Sequence, residues 1–197
     1  MKHKRMKREQ ALPTTPQLEG ALAREEQKKR FRSILRSTVF VLATVAAISV
    51  LVATLLFPVM RIYGSSMKPT LEDGEIVVAL KVKDFSKGDL IAFYYNNKLL
   101  IKRVICGPGD WVNLTEDGTV YVNGTPLEEP YVSEKSFGTC DLELPYQVPA
   151  GQYFVMGDHR STSIDSRSSM VGCVTDEQIV GKILIRVWPL AAFGTIS

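Results

Sequence analysis

The longest feature of the hydrophobic pattern is a stretch of 24 residues without a charge, residues 37–60. As a helix it would span about 36 Å at 1.5 Å per residue, enough to cross a bilayer. It is apolar on all sides, whereas a buried globular helix is amphipathic. A cleaved secretory signal would have an apolar core of about 7–15 residues and a small-residue cleavage site, but bulky residues follow here. The stretch therefore predicts an uncleaved transmembrane anchor over 37–60.

Beyond the anchor the pattern changes to short runs rich in Val, Ile, Phe and Tyr, separated by turn signals such as Asp117-Gly118 and Asn123-Gly124. Residues 61–197 are numerous enough for one hydrophobic core. We predict an all-β, antiparallel domain of barrel or sandwich type, preceded by one N-terminal transmembrane helix. The predicted strands are 75–80, 89–95, 99–105, 111–114, 119–122, 152–156 and 182–187.

The charges divide the chain into a basic head and a mildly acidic body. Residues 1–36 carry eleven Lys/Arg against four Glu, and their composition predicts a disordered or loosely helical cytoplasmic tail. Six Lys/Arg lie within 15 residues before the anchor and two within 15 residues after it. The positive-inside rule then predicts a single-pass protein of the cell membrane, with the N-terminus cytoplasmic and 61–197 extracytoplasmic. A nucleic-acid arm would not explain the uncharged stretch beside it, so we expect no nucleic-acid partner.

Composition excludes several other classes of protein. With 14 Gly and 10 Pro, the chain is neither collagen-like nor of low complexity. Cys106, Cys140 and Cys173 lack zinc-ligand spacing, and no phosphate-binding loop is present, so we expect neither a metal nor a cofactor. A Cys140–Cys173 bridge is compatible with an extracytoplasmic domain, but the sequence does not assign it.

One lysine occupies an unusual place. In the predicted strand 99–105 the side chains alternate between two apolar faces, with Lys102 on one and Arg103 on the other. Burial disfavours the charged form of lysine and lowers its pKa, which produces a general base. The alternative is a lysine that extends from an edge strand to water.

Two polar segments add chemistry to that lysine. Ser66 lies between Gly64 and Pro69 in an irregular segment just after the anchor, and a serine needs an adjacent base to act as a nucleophile. Residues 156–167 place opposite charges close together in a loop after a strand, where Ser163 could orient a base and Asp165 and Arg167 could make the site rigid. The alternatives are a serine-rich linker and a solvated turn.

Taken together, these segments resemble the motif boxes of type I signal peptidases. They occur in the family's order behind an N-terminal anchor, and the resemblance covers about residues 37–190. The matching segments are Ser66-Met67-Lys68-Pro69-Thr70, Lys87-Gly88-Asp89, Lys102-Arg103-Val104-Ile105 with Gly107-Pro108-Gly109-Asp110, and Gly157-Asp158 through Ser163-Ile164-Asp165-Ser166-Arg167.

The resemblance implies a membrane-bound serine endopeptidase that cleaves signal peptides from preproteins after small residues (Ala-x-Ala). Ser66 would be the nucleophile and neutral Lys102 the general base. Ser163 would orient Lys102, and Asp165 and Arg167 would form a supporting ion pair. A lysine at 102, where the endoplasmic-reticulum type has histidine, indicates the bacterial kind. The implied partners are signal peptides and the lipid bilayer, and the substrate would pair as an added strand.

Some positions depart from the family pattern. Gly64 cannot supply the side-chain hydroxyl that some members add to the oxyanion hole, so Ser65 or a backbone group would replace it. His159, Ser161 and Thr162 stand where the family usually has Asn, Asp and Asn, and Cys106 replaces a small or aliphatic residue. The altered loop leaves a second hypothesis open, a catalytically inactive membrane-tethered β module that binds extended peptides.

Overall fold

The computed structural model describes residues 15–196 of the 197-residue chain. The first fourteen residues of the predicted tail lie outside the described residues. The chain divides into two compact units, residues 1–52 and 53–197. The described part of the first unit is helical, and the second unit contains all of the described strands.

A single long helix, α1 (Thr15–Leu56), includes most of the predicted anchor and much of the predicted tail. Residues 18–35 are rich in Leu, Ala, Glu, Lys and Arg, which favour helix, so helical structure begins well before residue 37. The helix ends two residues before Pro58, so residues 57–60 of the predicted anchor are not helical. Among the described residues it is the one helix long and apolar enough to cross a membrane, and its apolar window is fully exposed.

Twelve strands follow, and most of them are short. Their bounds are β1 Val59–Arg61, β2 Ile76–Leu80, β3 Leu90–Tyr95, β4 Lys98–Cys106, β5 Trp111–Leu114, β6 Val120–Val122, β7 Thr125–Pro126, β8 Tyr146–Gln147, β9 Gln152–Met156, β10 Val174–Thr175, β11 Ile179–Trp188 and β12 Gly194–Thr195. Two short 3₁₀ helices, Asp176–Gln178 and Leu190–Ala192, flank β11.

The strands form two antiparallel sheets. The larger has the order β1-β2-β11-β3-β4-β9-β10, with β12 paired to β11, and the smaller has the order β7-β6-β5-β8. The prediction of an all-β antiparallel domain behind one N-terminal helix is therefore confirmed. Each of the seven predicted strands is present, whereas β1, β7, β8, β10 and β12, of two or three residues each, were not predicted from the pattern.

Apolar side chains from the large sheet form a core cluster that fixes the segment after β1. Met67 and Leu71 of that segment pack in a cluster with Met60, Val77 and Ile183, among others. At about 25 cal/mol per Å² of buried apolar surface, burial of Met67 and Leu71 stabilises this segment by a few kcal/mol. The residues next to Met67, including Ser66, are thereby held against the sheet.

Candidate active site

Strand β4 is paired on its two edges over different parts of its length. It pairs with β3 from Lys98 to Arg103, whereas its pairing with β9 begins at Arg103, opposite Met156. Residues 98–102 therefore have an edge without a strand partner on the β9 side. At the other end of the large sheet, β1 pairs with β2 alone.

Lys102 is the last residue of this free edge, and its side chain is only 3% exposed. Burial lowers its pKa from 10.5 to about 8, the attraction of Asp165 and Asp158 opposes that effect, and Arg167 adds to it. A lysine with this pKa has a substantial neutral fraction near neutral pH, so it can accept a proton. Lys102 is therefore the buried lysine of the two interpretations, and it does not extend from an edge strand to water.

Ser66 begins a turn after β1, and it is half-buried. Its carbonyl oxygen accepts a hydrogen bond of 3.1 Å from the backbone N–H of His159, so the loop after β9 holds the Ser66 backbone in place. Its own N–H has no hydrogen-bond partner within residues 15–196. Gly64, in contrast, donates its N–H to Asp73 Oδ1 at 2.8 Å.

Gly157 is the point at which the predicted site residues meet. Continuing the register from the pair Arg103–Met156 places Gly157 opposite Lys102. A Cβ atom at residue 157 would lie 2.5 Å from the Ser66 carbonyl oxygen and would collide with Ser163 Oγ. Glycine is therefore required for this close approach. The Ser66 carbonyl oxygen and Ser163 Oγ therefore both border Gly157, and the extended register places Lys102 across from it.

Ser163 is buried, and its hydroxyl has no hydrogen-bond partner among the described residues. The hydrogen bond expected between Ser163 and Lys102 is therefore not formed in this structure. A buried hydroxyl without a partner carries a desolvation cost of about 1–3 kcal/mol. A hydrogen bond between the Ser163 hydroxyl and an amine in the site would remove this cost.

Asp165 and Arg167 form a fully buried ion pair beside Lys102. Arg167 Nε and its second terminal nitrogen donate to the two carboxylate oxygens of Asp165 at 2.9 and 3.0 Å. Asp165 also accepts the N–H of Gly157 at 2.9 Å, and Arg167 donates to the carbonyl of Arg160 at 2.8 Å. The pair connects the loop to Gly157, as a supporting pair would.

A second buried ion pair, Arg103 with Asp158, was not predicted from the sequence. Arg103 Nε and Nη2 donate to the two oxygens of Asp158 at 2.9 and 2.8 Å, and Thr70 Oγ1 donates to the same carboxylate. The available signal was the alternation of β4, which places one cation on each apolar face. The partner could not be predicted, because Asp158 is 55 residues away in the sequence.

The substituted residues 159, 161 and 162 leave this framework intact. His159 holds Ser66 through its backbone N–H, and its Nδ1 lies 3.0 Å from Thr162 Oγ1. Ser161 and Thr162 are exposed. Asp158 and Ser163, which flank residues 159–162, are both buried.

Two of the three cysteines are unsuited to act as a nucleophile. All three are free, so no Cys140–Cys173 bridge is present. Burial raises the pKa of Cys106 to about 12 and that of Cys173 to about 11, and a thiol with so high a pKa is inert. Cys106 packs in the apolar core. The described residues contain no group of three or more His, Cys, Asp or Glu side chains that could hold a metal.

A cleft of about 620 Å³ runs from Ser66 between the free edges of β1 and β4. Its lining is mainly apolar, and it consists of Val59, Met60, Arg61, Ile62, Tyr63, Gly64, Ser66, Met67, Lys98, Leu99, Leu100 and Ile101. A chain in extended conformation fits such a cleft, because it can pair with a free strand edge and place alternate side chains between apolar walls.

Comparison with known proteins agrees with this arrangement. Residues 34–188 match the family model described as signal peptidase, peptidase S26. The chain belongs to the signal peptidase family, peptidase family S26. Membership confirms the resemblance to type I signal peptidases and makes the protein a serine peptidase.

Two curated relatives carry names from this family. Signal peptidase IB of Staphylococcus aureus (strain COL) is 40% identical over 152 residues, which cover 67% of this chain and 78% of that protein. Signal peptidase I of Bacillus licheniformis is 34% identical over 170 residues, which cover 80% and 90%. The crystal structure of a signal peptidase I from Enterococcus faecalis V583 aligns with a TM-score of 0.44 and 30% identity, and the alignment covers 52% of this chain and 98% of that one.

Proposed function

We propose that this signal peptidase family member is a membrane-bound endopeptidase that cleaves signal peptides from exported preproteins after small residues (Ala-x-Ala). In this proposal Ser66 is the nucleophile and neutral Lys102 the general base. The observation that carries it is the burial of Lys102 opposite Gly157, whose other neighbours are Ser66 and Ser163. Burial also lowers the pKa of Lys102 to about 8.

The proposed reaction is acyl transfer. Neutral Lys102 accepts the Ser66 hydroxyl proton while Ser66 Oγ bonds to the scissile carbonyl carbon, and the C=O electron pair moves to oxygen. The Ser66 N–H, which has no hydrogen-bond partner among residues 15–196, donates to that oxyanion. When the C–N bond breaks, protonated Lys102 transfers its proton to the leaving amine. Lys102 then removes a proton from a water molecule, whose oxygen bonds to the ester carbon. As the bond from that carbon to Ser66 Oγ breaks, Lys102 returns the proton to Oγ and the carboxylic acid product leaves.

Ser163, Asp165 and Arg167 have supporting roles in this proposal. The Ser163 hydroxyl orients the amine of Lys102 once substrate occupies the site. The Asp165–Arg167 pair keeps the loop and Gly157 in register, through the hydrogen bond from Gly157 N–H to Asp165. The substrate binds as an added strand beside residues 98–102, and α1 anchors the protein with the N-terminus on the cytoplasmic side.

Cleavage of a defined preprotein by the full chain, purified in detergent, tests the proposed function. The substrate carries an Ala-x-Ala site, and a matched substrate has Leu in place of the last Ala. We expect cleavage after the last Ala, and about 100-fold lower kcat/KM for the Leu substrate, because a shallow subsite cannot hold three further carbons. Binding of the first substrate without cleavage would instead support the inactive peptide-binding module.

The pKa of Lys102 predicts the pH dependence. Its neutral form is the base, so kcat/KM should fall about tenfold per pH unit below a pKa of about 8 and reach a plateau above it. We expect this in the initial rate of peptide cleavage between pH 5 and 10. A rate that stays flat over this range would contradict a lysine base.

A further inference from the structure

The cleft beside Ser66 carries an unbalanced charge. Of its lining residues, Arg61 and Lys98 are cationic, and no Asp or Glu is among those that the structure describes. The remaining walls are mainly apolar. Cationic groups within low-dielectric walls focus their field into the cleft, so a ligand there experiences a positive potential.

Neither cation forms an ion pair with another of the described residues. Within residues 15–196 the ion pairs of the β domain join other residues, among them Arg103 with Asp158 and Lys182 with Asp89. The guanidinium of Arg61 lies 5.7 Å from the centre of the Tyr63 ring, a cation–π contact that holds it without cancelling its charge. Lys98 is exposed at the first position of β4.

Both cations lie a few residues along the chain from the proposed reacting residues. Lys98 precedes Lys102 by four residues on the same face of β4, which corresponds to about 13 Å along the strand. Arg61 precedes Ser66 by five residues on the other wall of the cleft. A substrate strand beside β4, with its scissile bond at Ser66, has the same rise per residue. For a substrate strand that runs parallel to β4 with its last residue before the cleaved bond level with Lys102, the fifth residue before the bond lies level with Lys98.

We propose that Arg61 and Lys98 form an anion-binding subsite. It binds an Asp or Glu side chain at the fifth substrate residue before the cleaved bond, and it disfavours Lys or Arg at that position. This inference rests on the proposed function and specifies its substrate further. The attractive and the repulsive effect act on the same position, so together they produce selectivity. Other occupants of the cleft, such as anionic lipid headgroups, are distinguished by the experiment.

The experiment compares three Ala-x-Ala peptides that differ only at the fifth residue before the cleaved bond, with Asp, Ala or Lys. The full chain is assayed in uncharged detergent at low ionic strength. We expect kcat/KM for the Asp peptide to exceed that for the Lys peptide about tenfold, and the ratio to shrink in 0.5 M salt as screening increases. In the Arg61→Gln/Lys98→Gln variant we expect a ratio below about twofold.

Charge reversal distinguishes direct recognition from an indirect structural effect. Arg61→Glu combined with Lys98→Glu should invert the preference toward the Lys peptide, whereas Lys83→Gln, a change at an exposed lysine outside the cleft lining, should keep the wild-type ratio. Equal rates for the three peptides would overturn the subsite, and so would a charge effect that appears only when anionic lipid is added. Failure to cleave even the Ala peptide would refute the proposed function itself.

Discussion

Ser66→Ala and Lys102→Met are each expected to reduce kcat/KM for an Ala-x-Ala peptide by about 10⁴-fold or more. Removal of the hydroxyl removes the proposed nucleophile, and removal of the amine removes the proposed general base. Because the two groups act in one step, the double variant should be about as inactive as either single variant. The measurement is the initial rate of peptide cleavage by the full chain in detergent at pH 9.

Matched controls are available on the same domain. Ser133→Ala and Lys83→Met change an exposed serine and an exposed lysine outside the cleft lining, and both should cleave within about twofold of wild type. Residual activity above about 1% of wild type in either site variant would contradict the proposed dyad. Retained peptide binding by the inactive variants would show that substrate recognition survives.

Lys102→Met is also expected to raise the stability of the fold. If the inactive variant is more stable than wild type, unfolding is not the cause of its inactivity. The folded-state pKa of Lys102, about 8, lies below its ordinary value of 10.5, so the unfolded chain binds more protons between these two pH values. Buried Lys102 therefore destabilises the fold by about 3 kcal/mol below pH 8, and this cost vanishes as the pH rises above 10.5. At pH 7 the methionine variant should melt at a higher temperature than wild type, and the difference should shrink toward pH 10.5.

The strands with clear apolar patterning could be predicted from the sequence, whereas the shortest ones could not. β5 and β9 have the predicted bounds because turn residues flank them closely. The first two of the three residues of β1 lie within the apolar stretch that continues from the helix. The hydrophobic pattern therefore does not change where this strand begins. Its pairing with β2 depends on tertiary contacts that local sequence does not encode.

The sequence indicates which residues form the candidate site but not which of their side chains pair with one another. Alternation along β4 separates Lys102 from Arg103 and indicates that at least one of these cations is partly buried. Nothing local indicates that Arg103 pairs with Asp158, or that Arg160 pairs with Glu129, because these partners are 55 and 31 residues apart. The orientation of the Ser163 hydroxyl depends on rotamers and packing, which the sequence leaves undetermined.

Arg103→Met should destabilise the β domain by about 3–5 kcal/mol, because it leaves the carboxylate of Asp158 buried at 0% exposure without its cationic partner. Asp158→Asn should have a similar effect, since it leaves the guanidinium of Arg103 unpaired. When both changes are combined, the loss should be clearly smaller than the sum of the two, because no unpaired charge remains. The measurement is urea or thermal unfolding of the full chain in detergent.

The partly exposed pair of Lys182 with Asp89 provides the comparison. Its side chains are 35% and 15% exposed, so Lys182→Met should change stability by no more than about 1 kcal/mol. Equal losses from Lys182→Met and Arg103→Met would contradict the argument from burial. Arg103→Met should also lower kcat, because Arg103 adjoins Lys102 on β4 and its ion pair with Asp158 holds the start of the loop that contains Ser163. The Arg103–Asp158 pair is therefore expected to affect both the stability of the domain and the position of Lys102, the proposed base.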